Sequence, residues 1–337
     1  MAELDRPQQE IRVEVLPLGS YPGCSPRCDG LPSENIMSLS RYALLTAAYN
    51  EEAFIARTIE AVAAQTLPPA RWIIASDGST DRTDEIVRGY CERYSFLRLL
   101  RIEKTGARGV ISKVNALRTA YTELSSVEYD FLGNVDADVS FGADYFSGLL
   151  AKFECDSKLG IAGGWICEEK NGEFQGRATN RTASVAHAAQ LVRRECYEAI
   201  GGYAALKYGG EDWCAELNAR MLGWRVESFP EFQVRHYRPT GAADHLLRHC
   251  YRQGKMDFSF GSHPLFEAVK CLLRAPEKPF LAGAVVRFVG FIGCYFSGEA
   301  RLVPPGVSSF LRKEQKSRLR VMFGRPAVAA ENDKGLQ

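Results

Sequence analysis

Tyr129-Asp130-Phe131-Leu132-Gly133-Asn134-Val135-Asp136-Ala137-Asp138 is the stretch on which the fold turns. An apolar run of strand length passes directly into two carboxylates separated by one small residue. Positions i and i+2 of an extended chain share a face, so Asp136 and Asp138 can point at one site. Two like charges there repel unless a proton or a cation compensates, and hard oxygen donors suit Mg²⁺ or Mn²⁺. A polar strand-to-loop junction with solvated acids is the other reading, and the pair alone does not decide between them.

The same pattern recurs upstream. Tyr42-Ala43-Leu44-Leu45-Thr46-Ala47-Ala48 reads as a short buried strand, followed by the polar turn Tyr49-Asn50-Glu51-Glu52 and a helical stretch from Phe54 to Gln65. Arg71-Trp72-Ile73-Ile74-Ala75-Ser76 is a second strand, ending in Asp77-Gly78-Ser79-Thr80-Asp81 before a helix that runs to Cys91. A third strand is predicted over Phe96 to Ile102, and a helix over about residues 110–124 leads to the stretch quoted first. Strands alternating with helices predict an α/β fold, a mostly parallel central sheet with helices on both faces, because parallel neighbours need a crossover connection. Ligands bind beyond the carboxyl ends of such strands, where all three polar clusters fall. Asp77 can accept from a base N–H or a ribose hydroxyl, and Tyr49 offers a ring for stacking. Asp77-Gly78-Ser79-Thr80-Asp81 reads equally well as a turn with a helix N-cap.

Farther on, Tyr208-Gly209-Gly210-Glu211-Asp212-Trp213 feeds acids into the start of a helix over Trp213 to Met221. Its glycines let the backbone approach a ligand closely, and an acid is favoured near a helix N-terminus. His236, in Val234-Arg235-His236-Tyr237-Arg238 after another strand-like run, can bring a neutral imidazole to the same metal, although a lone histidine is more often structural. Arg193 and Arg194, placed on a helix before Gly201-Gly202, and the basic run Arg252-Gln253-Gly254-Lys255 are candidate phosphate contacts. A solvated helix face and a helix end closed by a glycine are the competing readings.

Composition sets the frame. The chain has 337 residues, 46% hydrophobic and 25% charged, which excludes disorder, collagen and coiled coil for most of its length and allows one large α/β domain with an appendage. A net charge of +1 argues against a dedicated nucleic-acid binder. The ten cysteines are scattered rather than paired as metal ligands, and the N-terminus has no basic segment followed by an apolar stretch, so reduced thiols in the cytoplasm are expected. Dinucleotide, P-loop and hydrolase-elbow motifs are missing. Residues 1–40, with Pro7, Pro17, Pro22, Pro26 and Pro32, read as a loosely attached N-terminal arm. Phe280 to Ser297 is strongly apolar but carries Arg287 at its centre. A spanning helix needs ~20 apolar residues and tolerates a central Arg poorly, so no transmembrane segment is expected. With the basic, apolar-interleaved run Phe310 to Phe323, this region suits a peripheral membrane contact through 280–323, at the inner face of the membrane. Packing of both pieces on the preceding α/β domain is equally open.

The ordered set Ala47-Ala48-Tyr49-Asn50-Glu51-Glu52, Asp77-Gly78-Ser79-Thr80-Asp81, Lys113-Val114-Asn115-Ala116, Asp136-Ala137-Asp138 and Gly209-Gly210-Glu211-Asp212-Trp213 resembles the family 2 glycosyltransferases of the GT-A fold, over roughly residues 40–260. The resemblance implies a GT-A type nucleotide-diphospho-sugar transferase fold over 41–262, with a nucleotide-binding half at 41–140, an acceptor-binding half at 141–262 and a helical C-terminal extension at 263–337. It also implies an inverting transferase that moves a sugar from a nucleotide-diphosphate donor, UDP-linked in most members, to a glycan or lipid-linked acceptor with a divalent cation, Mg²⁺ or Mn²⁺. Carried over position by position, Ala47, Tyr49, Glu51 and Asp77 fall among the nucleotide contacts and Lys113 in the pocket near base or phosphate. Asp136 resembles the ribose or metal-side aspartate, Asp138 the metal ligand and Asp212 the catalytic base, with Glu211 and Trp213 on the acceptor side. His236 sits about where some members place a metal-binding histidine. Ala47 stands where many members have proline, which loosens a turn and removes no chemistry. A non-catalytic member that binds a nucleotide-sugar or glycan as an assembly component is the alternative; the intact acids Asp77, Asp136, Asp138 and Asp212 favour the enzyme.

Overall fold

A computed structural model describes residues 40–103, 110–170, 172–238 and 246–324; the expected N-terminal arm, apart from Ser40, lies outside them. The first half is built as the sequence predicts: β1 (Tyr42–Ala48), α1 (Ile55–Ala63), β2 (Arg71–Asp77), α2 (Thr83–Cys91), β3 (Leu97–Ile102), α3 (Val110–Thr122) and β4 (Phe131–Val135). These strands pair in parallel in the order β3-β2-β1-β4. Alternate residues enter opposite cores, as the two-residue period of a strand requires. Tyr42, Leu44, Trp72 and Ile74 pack with Ile55 and Ile59 of α1 and Val87 of α2. Ala43, Leu45, Ile73 and Ala75 pack with Val114 and Leu117 of α3.

The second half mixes strand directions. It comprises β5 (Val139–Phe141), α4 (Tyr145–Cys155), β6 (Leu159–Lys170), β7 (Glu173–Gly176), β8 (Ala189–Arg193), α5 (Arg194–Ala199), α6 (Glu211–Met221) and β9 (Arg225–His236). β8 inserts antiparallel between β4 and β6, β9 runs parallel to β6, and β5 closes the sheet antiparallel to β9. Antiparallel neighbours need no helical crossover, so this part departs from the strict strand–helix alternation of the first half. The β5–β9 pairing sets Val139 opposite His236, at the end of the sheet where the acids gather.

Beyond the sheet come α7 (Leu246–Ser259), α8 (Pro264–Leu273), α9 (Phe280–Phe296) and α10 (Pro305–Met322). α7 and α9 lie almost backbone to backbone. A Cβ on Gly254 would fall 2.0 Å from the Arg287 carbonyl oxygen, and one on Gly290 would fall 2.4 Å from that of Tyr251. Arg287, the charge that argued against a spanning helix, is buried against Asp257 of α7 and lies 3.0 Å from Glu267 of α8; Lys270 joins the cluster 2.8 Å from Asp257. α10 turns Val307 and Leu311 into a core with Phe260, Leu206 and Leu217. These apolar positions therefore serve packing, while Lys313, Lys316, Arg318 and Arg320, and Val321 and Met322 at the helix end, are exposed. Among the described residues no helix is long and apolar enough to cross a membrane. Seven described cysteines are free thiols, but Cys155 is disulfide-bonded, which departs from the expectation of reduced thiols throughout.

Candidate active site

The carboxyl ends of β1 and β2 are tied together by their loops. Asn50, held at a φ of 53°, accepts from the Thr80 N–H at 2.8 Å, and the Glu51 N–H donates to the Thr83 hydroxyl at 2.7 Å. This lacing sets Tyr49 and Glu51 beside Asp77, whose carboxylate accepts a hydrogen bond from Ser112 of α3. Asp77 thus lies at the strand end and is linked to the helix that carries Lys113. Ala47, two residues before Tyr49, is half-buried.

Lys113 reaches across to Asp136 at 2.7 Å. Burial works against the charge on Asp136, but the ammonium outweighs it, with smaller help from His187 and His236, and holds the carboxyl well below the usual range. Burial likewise disfavours the Lys113 ammonium, and Asp136, Glu211 and Asp212 overcome that and raise it. The lysine therefore stands between the β4 acids and the acids that open α6. The two groups share one crevice and do not lie on opposite sides of the molecule.

Asp138 is buried where β4 passes into β5, and the β5–β9 pairing delivers His236 to it, with Nε2 at 3.4 Å from Asp138 Oδ1. Burial lowers the His236 pKa, and Asp138 more than restores it, so the net shift is upward. One donor atom each from Asp136, Asp138 and His236 lies within 4.8 Å of the others. Ligands around an ion at ~2.1 Å stand about 3–4.2 Å apart, so two carboxylates and an imidazole at this spacing fit Mg²⁺ or Mn²⁺ with a small contraction.

On the far side, Gly209 and Gly210, at φ of 89° and 88°, make the left-handed turn that starts α6. A side chain at either position would be strained. Helix α6 opens at Glu211, two residues ahead of the expected start, so both acids lie in its first turn. Burial raises the Asp212 pKa against the opposing Trp213 N–H, Lys113 and Arg177. Burial and then the Asp212 charge raise Glu211. The Trp213 ring stacks on Phe260 at 4.3 Å and packs with Met256 and Val307, which anchors the acid-bearing turn to the C-terminal helices.

Two further residues join the crevice that sequence reasoning did not single out. Arg238 pairs with Glu51 and brings its Nε to 3.7 Å from Asp138 Oδ2. The signal was available, since it stands two residues past His236 in the same polar run. His187 is 5% exposed, lies edge-on to Tyr203 at 4.4 Å, and neither ring nitrogen has a hydrogen-bond partner. Burial, and then the Lys113 charge, push its pKa down to about 3, so the ring is neutral. Its Nδ1 is 3.9 Å from Glu211 Oε1, too far for a direct hydrogen bond. A single histidine among alanines gave no warning of this.

Other candidates lie elsewhere. Arg193 ends β8 and donates to the carbonyls of Leu159 and Phe153 at 3.2 and 3.0 Å, and Arg194 pairs with Glu198 at 2.8 Å and covers Tyr129. Both are engaged in structural contacts; the expected helix before Gly201-Gly202 is present as α5 and starts at Arg194, while Arg193 ends the preceding strand. Arg252-Gln253-Gly254-Lys255 lies inside α7, with Gly254 packed on α9 and Lys255 paired to Glu299 at 3.0 Å, so it is not a helix end.

A mixed sheet with acids gathered at its carboxyl edge and a helical C-terminal region define a GT-A fold. Residues 44–208 match the family described as Glycosyl transferase family 2, and this part of the chain is a family 2 glycosyltransferase domain; Glu211, Asp212, His236 and Arg238 lie beyond the matched segment. The probable glycosyltransferase YdaM of Bacillus subtilis (strain 168) is 33% identical over 107 residues, 31% of this chain and 24% of that protein. The poly-beta-1,6-N-acetyl-D-glucosamine synthase of Staphylococcus aureus (strain COL) is 31% identical over 133 residues, 40% of this chain and 30% of the synthase. The matched stretch thus spans less than a third of either relative. Among solved structures, GalNAc-T7 with UDP, GalNAc and Mn²⁺ superposes with a TM-score of 0.53 at 14% identity, over 86% of this chain and 59% of that one, a likeness of fold.

Proposed function

We propose that this chain transfers a sugar, with inversion, from a nucleotide-diphosphate donor to a hydroxyl of a glycan or lipid-linked acceptor. UDP is the favoured nucleotide, in keeping with the ligands of GalNAc-T7, and polysaccharide or glycolipid synthesis is the favoured setting. The observation that carries the reading is the three-donor cluster of Asp136, Asp138 and His236 beside the Lys113 bridge to Glu211 and Asp212.

In this reading Tyr49 and Asp77 hold the nucleoside at the ends of β1 and β2, beside Ala47. Asp136, Asp138 and His236 hold a divalent cation, which when bound supplies positive charge against the leaving diphosphate. Lys113 adds fixed positive charge on the same side, and Glu51 acts by holding Arg238 there. Asp212 accepts the proton of the acceptor hydroxyl as its oxygen attacks the anomeric carbon opposite the leaving group. Its raised pKa brings the carboxylate nearer the operating pH, where a general base works best. The donor sugar lies between the cation side and Asp212, which is where His187 and Glu211 stand. One hydroxyl oxygen about 2.8 Å from each would subtend an angle of about 90°, so the pair can grip a single sugar hydroxyl. Trp213 acts from behind, fixing the turn that aims both acids.

The test is a thermal-shift screen of UDP, GDP and their sugars with and without Mn²⁺. A ligand at 100 times its Kd stabilises the folded chain by about 2.7 kcal/mol, and the reading expects Mn²⁺-dependent stabilisation by UDP. Asp212→Asn should keep that shift and lose about 10²–10⁴-fold in turnover. No stabilisation by any nucleotide would remove the reading; transfer by Asp212→Asn at near wild-type rate would move the base elsewhere.

A further inference from the structure

Helix α9 is inside out. The residues it buries are Gly283, Ala284, Arg287, Gly290, Phe291 and Cys294, mostly small and including its only charge. Leu281, Val285, Val289 and Phe296 are 65%, 51%, 54% and 87% exposed, at the four- and seven-residue spacings of one helix face. A helix on a water-facing surface shows the reverse arrangement. Leu272 and Leu273 at the end of α8 and Phe280 at the start of α9 extend the apolar surface. Contiguous exposed apolar area of this kind marks an interaction site.

Charge says what covers it. Residues 246–324 hold thirteen Lys and Arg against five Asp and Glu, a net charge of +8 in a chain whose total is +1. Arg248, next in the chain to the exposed Leu247, and Lys278, two residues before Phe280, are exposed cations, with the exposed Glu277 beside the latter. α9 has 17 residues, about 25 Å of helix, short of the ~20 apolar residues that a spanning segment needs. An apolar helix face with a cationic surround, too short to cross, is the arrangement that lies along an anionic lipid surface. From these observations we infer that the outer face of α9, with the end of α8, docks this chain sideways onto an anionic membrane surface. α10 buries Val307, Leu311 and Leu319 and contributes mainly charge, with Val321 and Met322 exposed at its end. The inference does not depend on the proposed transferase activity, and its test reads no turnover.

Vesicle co-flotation of the full chain decides it, using phosphatidylcholine alone and phosphatidylcholine with phosphatidylglycerol. The chain should float with the anionic vesicles at least tenfold more than with the neutral ones, and 0.5 M NaCl should weaken the binding. The double substitution Val285→Asp/Val289→Asp should cut flotation at least tenfold while leaving the melting curve unchanged. Should that pair melt early, Phe296→Ser at the exposed helix end carries the test with a smaller loss. No flotation of the wild type, equal flotation on neutral vesicles, or undiminished flotation of the variants would each overturn the inference. So would a lipid-free dimer that these substitutions dissolve, because the face would then belong to a second copy.

Discussion

Replacing Arg287 with Met tests how the C-terminal helices are held. The buried cluster contains two cations, Arg287 and Lys270, and two anions, Asp257 and Glu267, so it is neutral as it stands. Met fills much of the same volume and leaves one negative charge uncompensated, since Lys270, 2.8 Å from Asp257 and 3.7 Å from Glu267, can offset only one carboxylate. Breaking a buried pair from one side costs about 3–5 kcal/mol, and at ~2 °C per kcal/mol in a chain of this size the melting temperature should fall by about 6–10 °C. Burial and then the Asp257 charge already raise the Glu267 pKa, while Lys270 and Arg287 oppose them. Without Arg287 the folded chain keeps that proton to still higher pH. It then binds more protons than the unfolded chain, so stability falls as pH rises above the ordinary carboxylate value. The deficit against wild type should therefore be largest near pH 8 and shrink toward pH 5. Adding Glu267→Gln restores neutrality and should recover most of the loss. Denaturant titrations of the three proteins at both pH values measure this. A single variant within 1 kcal/mol of wild type at pH 8, or a double variant no better than the single, would refute the charge accounting.

Two other substitutions probe the acids and the imidazole around α6. Burial, then the Asp212 charge, push Glu216 up to about 7 against Arg220 and the hydrogen bonds from Val185 and Ser184, so the native state holds a proton that the unfolded chain releases near its ordinary value of 4.5. Wild-type stability should accordingly fall by up to about 3 kcal/mol between about pH 4.5 and 7 through this group; Glu216→Gln should lack that component, and parallel pH profiles for the two proteins would exclude it. His187→Phe should leave UDP affinity and the melting temperature of the free chain unchanged while weakening UDP-sugar binding about tenfold, the loss of one hydrogen bond in a buried site. Equal weakening of UDP itself, measured by calorimetry with Mn²⁺, would place the ring elsewhere in the mechanism.

The first half of the fold was legible because its strands are short, largely apolar runs and each ends in polar residues that could not continue it. Asp77, Asp136 and Asp138 announced themselves by that position. β8 was not legible, because Ala189–Arg193 runs straight into α5 and the Arg193-Arg194 pair at the junction resembles the exposed face of a helix. That misplacement is what made Arg193 look available for phosphate. His187 was hidden for a different reason. Its place beside Glu211 follows from long-range strand pairing, which no local pattern encodes, and the alanines around it gave no period to read. Trp213 and Arg252-Gln253-Gly254-Lys255 carry polar or aromatic chemistry suited to a ligand, yet one stacks on Phe260 and the other lies inside a helix closely packed on α9. Whether such groups face a ligand or a neighbouring helix depends on the C-terminal helices, whose arrangement was not read from the sequence.

The pairing of Val139 with His236 makes one member of the candidate cation cluster hostage to alignment. The register of β9 against β6 shifts midway, where Gly164 lies opposite Phe229 but Trp165 lies opposite Gln233, and the count of residues along that irregular stretch decides which way the imidazole turns. Deleting a single residue there would rotate every later side chain of the strand to the other side of the sheet. The sheet could then close while Asp136 and Asp138 faced each other without their third partner. On the proposed reading, length as much as residue identity would thus be a heritable control on cation affinity, and small insertions or deletions far from the acids would switch it off.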